Sequence, residues 1–204
     1  MHGVRVELLE AQAERLGLPL FKIQIPEMPT MEVYDNTMTA ALLDLKNKGV
    51  TASVFGDIFL EDLRKYREDK LAELNLTGVF PLWKIPTDKL IREFIDSGFK
   101  AITTCVNDKY LDKSFVGRLI DDDFLNDLPD GVDPCGENGE YHSFVFDAPF
   151  FSKPIEFEKG EIVYRKYTAS EQEKQSTVDS NVTDSTDNPF DSGFWYCDLL
   201  SFNR

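Results

Sequence analysis

Glu137, Asn138, Glu140, Tyr141 and His142 crowd into six residues of the string GVDPCGENGEYHSFVFDAPFF, which runs from Gly131 to Phe151 in a chain with only two histidines. Two carboxylates so close can attract ammonium, orient Mg²⁺ or meet a cationic substrate. The amide of Asn138 both donates and accepts. Histidine titrates near neutral pH, which suits His142 to take a proton from an amine. Gly136 and Gly139 permit positive φ, so the backbone can turn tightly and aim N–H groups at a ligand. The competing reading is plain: Asn138-Gly139 is a turn feeding a strand that starts at Tyr141, and His142 is a hydrogen-bonded strand residue.

Two further places carry chemistry. In TASVFGDI, Gly56 and Asp57 follow a short apolar run, and Asp57 can hold Mg²⁺ or a ribose, or cap the helix that begins near Leu60. In FPLW, Trp83 can stack on a substrate or fill a domain interface. Cys135 reads as a small turn residue.

The elements that must position these groups follow from periodicity. Residues 4–16 read as a helix with Val6, Leu9, Ala13 and Leu16 inward, stopped by Gly17 and Pro19. FKIQI (21–25) alternates as a strand. Asp35 is the expected N-cap of a helix ending at Gly49. TASVFGDI and GVFPLW read as strands, separated by a helix over 60–74 with Glu61–Lys65 and Arg64–Glu68 on its wet side. Helix alternating with strand implies a parallel sheet, which binds ligands at the carboxyl ends of its strands; GDI and PLW lie at two such ends. Then come a helix from Thr87, a strand KAITTCV, an acidic run at Asp121–Asp123 starting a short helix, and alternating strands YHSFVFD and IVYRKYT. Residues 169–192 are almost without apolar side chains and read as a mobile loop. GFWYCDLL reads as a final strand. The expected fold is α/β: an N-terminally truncated Rossmann-like parallel sheet over 1–85, then a smaller α+β domain over 86–204.

Composition narrows the partners. Net charge is −15, a field that repels phosphate backbones and argues against nucleic acid. No apolar run reaches the roughly 20 residues needed to span a bilayer, and no signal pattern opens the chain, so it reads as cytoplasmic. Three scattered cysteines suit neither a disulfide framework nor a zinc site.

MHGVRVELLEAQAERLGLPL, VFGDIFLEDLRKYRE, FPLW and GVDPCGENGEYHSFVFDAPFF together resemble the diphthine–ammonia ligase family, within the adenine-nucleotide alpha-hydrolase, N-type ATP pyrophosphatase group. The resemblance covers nearly the whole chain except 169–192 and is most specific at GENGEYH. It implies a Rossmann-like ATP-binding domain followed by a family-specific one. It implies amidation of diphthine on elongation factor two with ATP, Mg²⁺ and ammonium, through an acyl-adenylate. It puts Glu137, Glu140 and His142 at the reacting end, and Gly56, Asp57, Trp83, Gly136, Asn138, Gly139 and Tyr141 against substrate or nucleotide, with Asp57 toward Mg²⁺. A quaternary ammonium such as that of diphthine would suit the carboxylates and the face of Tyr141 or Trp83. The family pattern opens with S-G-G-x-D-S, a phosphate-cradling loop. That string does not occur in this sequence, as expected of a gene model shortened to an internal Met, or of a natural truncation. The chain as given is therefore expected to bind ATP weakly. Two alternatives stand beside the ligase: a non-catalytic binding module, and an ATP pyrophosphatase acting on another acceptor.

Overall fold

The computed structural model describes residues 3–27, 29–167 and 192–202, which form two compact units, one from Pro19 to Lys89 and one from the N-terminal residues to Leu18 together with Leu90 onward. The segment expected to be a mobile loop lies outside the described residues, apart from Ser192, which opens the last strand. Among the described residues no helix is long and apolar enough to cross a membrane.

The Pro19–Lys89 unit holds helix α2 (Met31–Asn47), strand β1 (Ala52–Val54), helix α3 (Glu61–Glu73) and strand β2 (Thr77–Val79). β1 and β2 pair in parallel, Ser53 opposite Gly78, as a strand–helix–strand crossover requires. Leu71 of α3 and Leu76 are buried, and Met38, Ala41, Leu42 and Leu45 of α2 are half-buried, the face expected from their spacing. Several expectations change. FKIQI forms no strand, because a strand needs a ladder partner and none of the described residues supplies one. The strand expected over GVFPLW stops at Val79, and residues 81–84 turn instead. Asp35 is not the cap of α2: Thr30 is, its hydroxyl accepting from the N–H of Val33 at 3.2 Å.

The other unit is built on a four-stranded sheet in the order β4-β3-β6-β5, all neighbours antiparallel, with β3 Lys100–Asn107, β4 Tyr141–Asp147, β5 Phe157–Tyr167 and β6 Ser192–Ser201. β3 is buried from Ala101 to Asn107, as a central strand covered on both faces must be. β6 pairs with β3 only along Cys105, Val106 and Asn107. The segment Gly117–Ile120 completes the other half of that edge through Thr103 N–H to Arg118 O at 2.9 Å and Ile120 N–H to Ala101 O at 2.9 Å. The core joins Leu8 and Ala11 of helix α1 (Val6–Leu16), Ile91 of helix α4 (Thr87–Asp96), the sheet, and Phe124 of helix α5 (Asp122–Asp127). The acidic run starts α5 as expected, Asp121 capping the N–H of Phe124 at 2.9 Å.

α1 turns a different face inward from the one its spacing suggested. Leu8 and Ala11 are buried and Gln12 donates to the carbonyl of Val145 at 2.7 Å, whereas Val6, Leu9 and Leu16 are exposed. The helix carries two apolar stripes, and the one whose neighbours include a hydrogen-bonding amide is the one that fits the sheet.

Candidate functional site

The loop before β4 is a closed hydrogen-bonded ring. Its entrance is Asp133, whose Oδ1 accepts from the N–H of Cys135 at 2.9 Å and of Glu137 at 3.2 Å, while its carbonyl accepts from Gly136 at 2.9 Å. Its exit is Glu140, which is 1% exposed. The Glu140 carboxylate accepts from the N–H of Asp133 at 3.0 Å, from the N–H of Asn138 at 2.9 Å and from the Asn138 side-chain amide at 3.1 Å. The N–H of Gly139 donates to the carbonyl of Gly136 at 3.1 Å. β3 anchors the exit, since the N–H of Asn107 donates to the Glu140 carbonyl at 2.9 Å. A carboxylate this deeply buried is tolerable because three donors surround it.

Gly136 is at φ 71°, and a Cβ there would lie 2.9 Å from the carbonyl oxygen of Tyr141 and 3.1 Å from its ring. Tyr141 itself closes under the loop. Its hydroxyl donates to the Pro134 carbonyl at 2.5 Å, its ring meets Phe124 edge-on, and burial pushes its phenol far above the ordinary range.

Two expectations about this loop change. The N–H groups of residues 135–139 all donate within the loop, so it is not a backbone cradle for an anion. The face of Tyr141 is packed in the core and cannot receive a quaternary ammonium. Of the polar residues expected to meet a ligand here, Asn138 is exposed and Glu137 and His142 are half-buried. Asp133 and Pro134 were not singled out from the sequence, although an Asp followed by N–H groups two and four residues on is the signature of an Asx-type turn.

Gly56, Asp57 and Trp83 come together after the ends of the parallel pair. The N–H of Phe55 donates to the carbonyl of Val79 at 2.9 Å, and the N–H of Lys84 to that of Ile58 at 2.7 Å, which ties GDI to the turn holding Trp83. Asp57 does not cap α3, whose N-cap is Leu60 without a side-chain bond. Its carboxylate meets Arg67 instead, Nε to Oδ2 at 2.9 Å and Nη2 to Oδ1 at 3.3 Å. The Arg64 guanidinium lies 4.7 Å from the Phe80 ring centre and 4.5 Å from that of Trp83, so one Trp83 face is already stacked on a cation. Among the described residues no group of three or more His, Cys, Asp or Glu side chains converges as a metal site.

A second charged cluster in the same unit was not foreseen. Asp35 accepts from the Tyr66 hydroxyl at 2.5 Å and meets Lys70 at 2.8 Å. Hydrogen bonding to Lys70 and Tyr66 holds the Asp35 carboxyl below its ordinary range, and the bond to Asp35 pushes the Tyr66 phenol up to about 12. The cluster walls a cavity of about 90 Å³ floored by Phe55, Leu42 and Leu71.

Residues 86–178 match the family model of the diphthamide synthase C-terminal domain. The chain is 29% identical over 170 residues to a diphthine–ammonia ligase of Homo sapiens, 31% over 173 residues to that of Mus musculus and 31% over 169 residues to that of Danio rerio. These matches take in 74–76% of this chain and 64–65% of each relative's length. The ring around Glu140 lies inside the segment that matches the diphthamide synthase C-terminal domain, and the likeness to diphthine–ammonia ligases runs along three quarters of this chain and just under two thirds of those relatives.

Proposed function

We propose that this chain recognises the acceptor in an ATP-dependent amide ligation of the diphthamide type, in which a carboxylate on elongation factor two is joined to ammonia. The observation that carries the reading is the satisfied ring of residues 133–140. With its N–H groups spent internally, the loop offers acceptors and a carboxylate, a surface for a cation and not for a phosphate. Ammonium and the quaternary ammonium of diphthine are both cations.

A carboxylate resists attack by nitrogen until its oxygen becomes a leaving group; ATP supplies this as an acyl-adenylate, releasing pyrophosphate, and ammonia then displaces AMP. In this reading Glu137 gathers the cation, Asn138 orients the acceptor and His142 takes the proton that ammonium must lose. Glu140, Gly136, Gly139 and Tyr141 act through the loop by holding its shape. Gly56 and Trp83 border the nucleotide end. Mg²⁺ would arrive on the phosphates of ATP; the carboxylate of Asp57 is committed to Arg67, so no step is assigned to it.

The test is to incubate the protein with diphthine-bearing elongation factor two, ATP and ammonium, and to follow amidation by mass spectrometry and pyrophosphate by a coupled assay. Amide and pyrophosphate in equal amounts support the ligase. Binding of the elongation factor without pyrophosphate supports the second reading, a recognition module. Neither turnover nor binding overturns both.

A further inference from the structure

β5 is the last strand of its sheet, and among the described residues nothing pairs with its outer edge. Natural edge strands are blunted by proline, by brevity, by charge or by β-bulges, and β5 has one such irregularity, between Lys159 and Ile162. This one spans eleven residues from Phe157 to Tyr167, contains no proline, and from Ile162 onward runs in unbroken register with β6. Its outer part is open on both faces: Ile162 is 39% exposed, Val163 36% and Tyr164 45%. Tyr164 is already fixed, its hydroxyl donating to Asp108 at 2.6 Å and its ring 4.8 Å from that of Trp195. A side chain ordered in advance loses little freedom when a partner covers it.

Around its apolar centre the strand is charge-asymmetric, with Glu161 just before Ile162 and Arg165 and Lys166 just after Tyr164, while Lys159 lies between Glu158 and Glu161 at the acidic end. A strand of that kind is complementary to its own antiparallel copy. We propose that the β5 edge pairs with the β5 edge of a second copy of this chain, about a two-fold axis at Val163. In that register each residue faces the one that mirrors it about Val163. Glu161 of each copy meets Arg165 of the other, and Ile162 meets Tyr164, so two opposite-charge pairs and two apolar–aromatic pairs form at once. Centring the axis one residue earlier, at Ile162, would bring Glu158 opposite Lys166 but set Lys159 against Arg165 and leave Glu161 facing Val163; like and opposite pairs then offset each other, so charge favours the Val163 register.

Sedimentation velocity of the protein over a hundredfold range of concentration tests this, with Glu161→Arg, Arg165→Glu and the double exchange carrying both. The expected result is a shift with concentration from a 23.3 kDa species toward one of twice that mass. Each single reversal should weaken association at least about tenfold, by setting like charges opposite each other, and the double exchange should restore it. Both positions are exposed, so each of the four proteins should melt cooperatively, with similar midpoints at the lowest concentration, where the monomer dominates. Arg165 also lies 5.6 Å from the ring centre of Tyr196, a contact that the double exchange loses too, which separates its loss from the loss of pairing. A monomer at every concentration, or a dimer indifferent to either reversal, overturns the proposal.

Discussion

The carboxylate of Glu140 accepts the backbone N–H of Asp133 at 3.0 Å, joining the two ends of the loop before β4. Through this one bond a buried charge becomes a structural part of a surface loop. Replacing Glu140 by Gln keeps the shape but turns an NH₂ toward N–H donors. Leaving such groups unpaired in a buried place costs about 2 kcal/mol or more, so Glu140→Gln should lower the melting temperature by several degrees. An unchanged melt with a reduced amidation rate would instead assign this carboxylate to contact with ligand.

Gly136→Ala should destabilise by about 1–3 kcal/mol, because the residue sits at φ 71° and the new Cβ would press on the carbonyl of Tyr141. Denaturant titration checks this. Gly131→Ala offers a control: it shares the positive φ but has nothing within 4 Å of the added carbon, so its loss should be the smaller.

Glu137, three residues before the fully buried Glu140, is only half-buried. Glu137→Gln should therefore leave the melt unchanged while weakening capture of a cationic acceptor about tenfold, the scale of one lost charge-assisted contact. Calorimetric titration with a diphthine-bearing peptide reads this directly.

The Asp35–Tyr66–Lys70 cluster should make stability depend on pH at both extremes. Asp35 has a depressed pKa, so its contribution is complete above the ordinary aspartate value of about 4 and is lost as pH falls through the lowered one. Tyr66 and Lys70 are raised, so theirs is complete below about 10 and is lost as pH climbs, for Tyr66 toward about 12. Tyr66→Phe should flatten the alkaline limb of melting temperature against pH, and the ultraviolet titration of the phenols should lose a component near 12.

Of the three thiols, Cys105 and Cys197 are buried and Cys135 is half-buried. Burial pushes Cys105 up to about 11 and also raises Cys197, which starves both of thiolate, the reactive form. Iodoacetamide should label Cys135 alone in the folded protein and all three cysteines after denaturation, as counted by mass spectrometry.

Apart from FKIQI, the order of helices and strands and the place of the loop before Tyr141 were legible in the chain, because periodicity, glycines and caps act over a few residues. Which of two apolar stripes α1 buries was not, since both have helical spacing and only the sheet with Val145 at its surface discriminates. FKIQI alternates like a strand yet stays outside any ladder, because pairing is decided by partners and not by alternation. The same division runs through the loop. Residue types alone marked GENGEYH as a place where charge and glycine meet. Only the fold decided that Glu140 points inward onto three donors while Glu137 stays near the surface, because burial depends on what β3 and Phe124 bring against the loop from far along the chain.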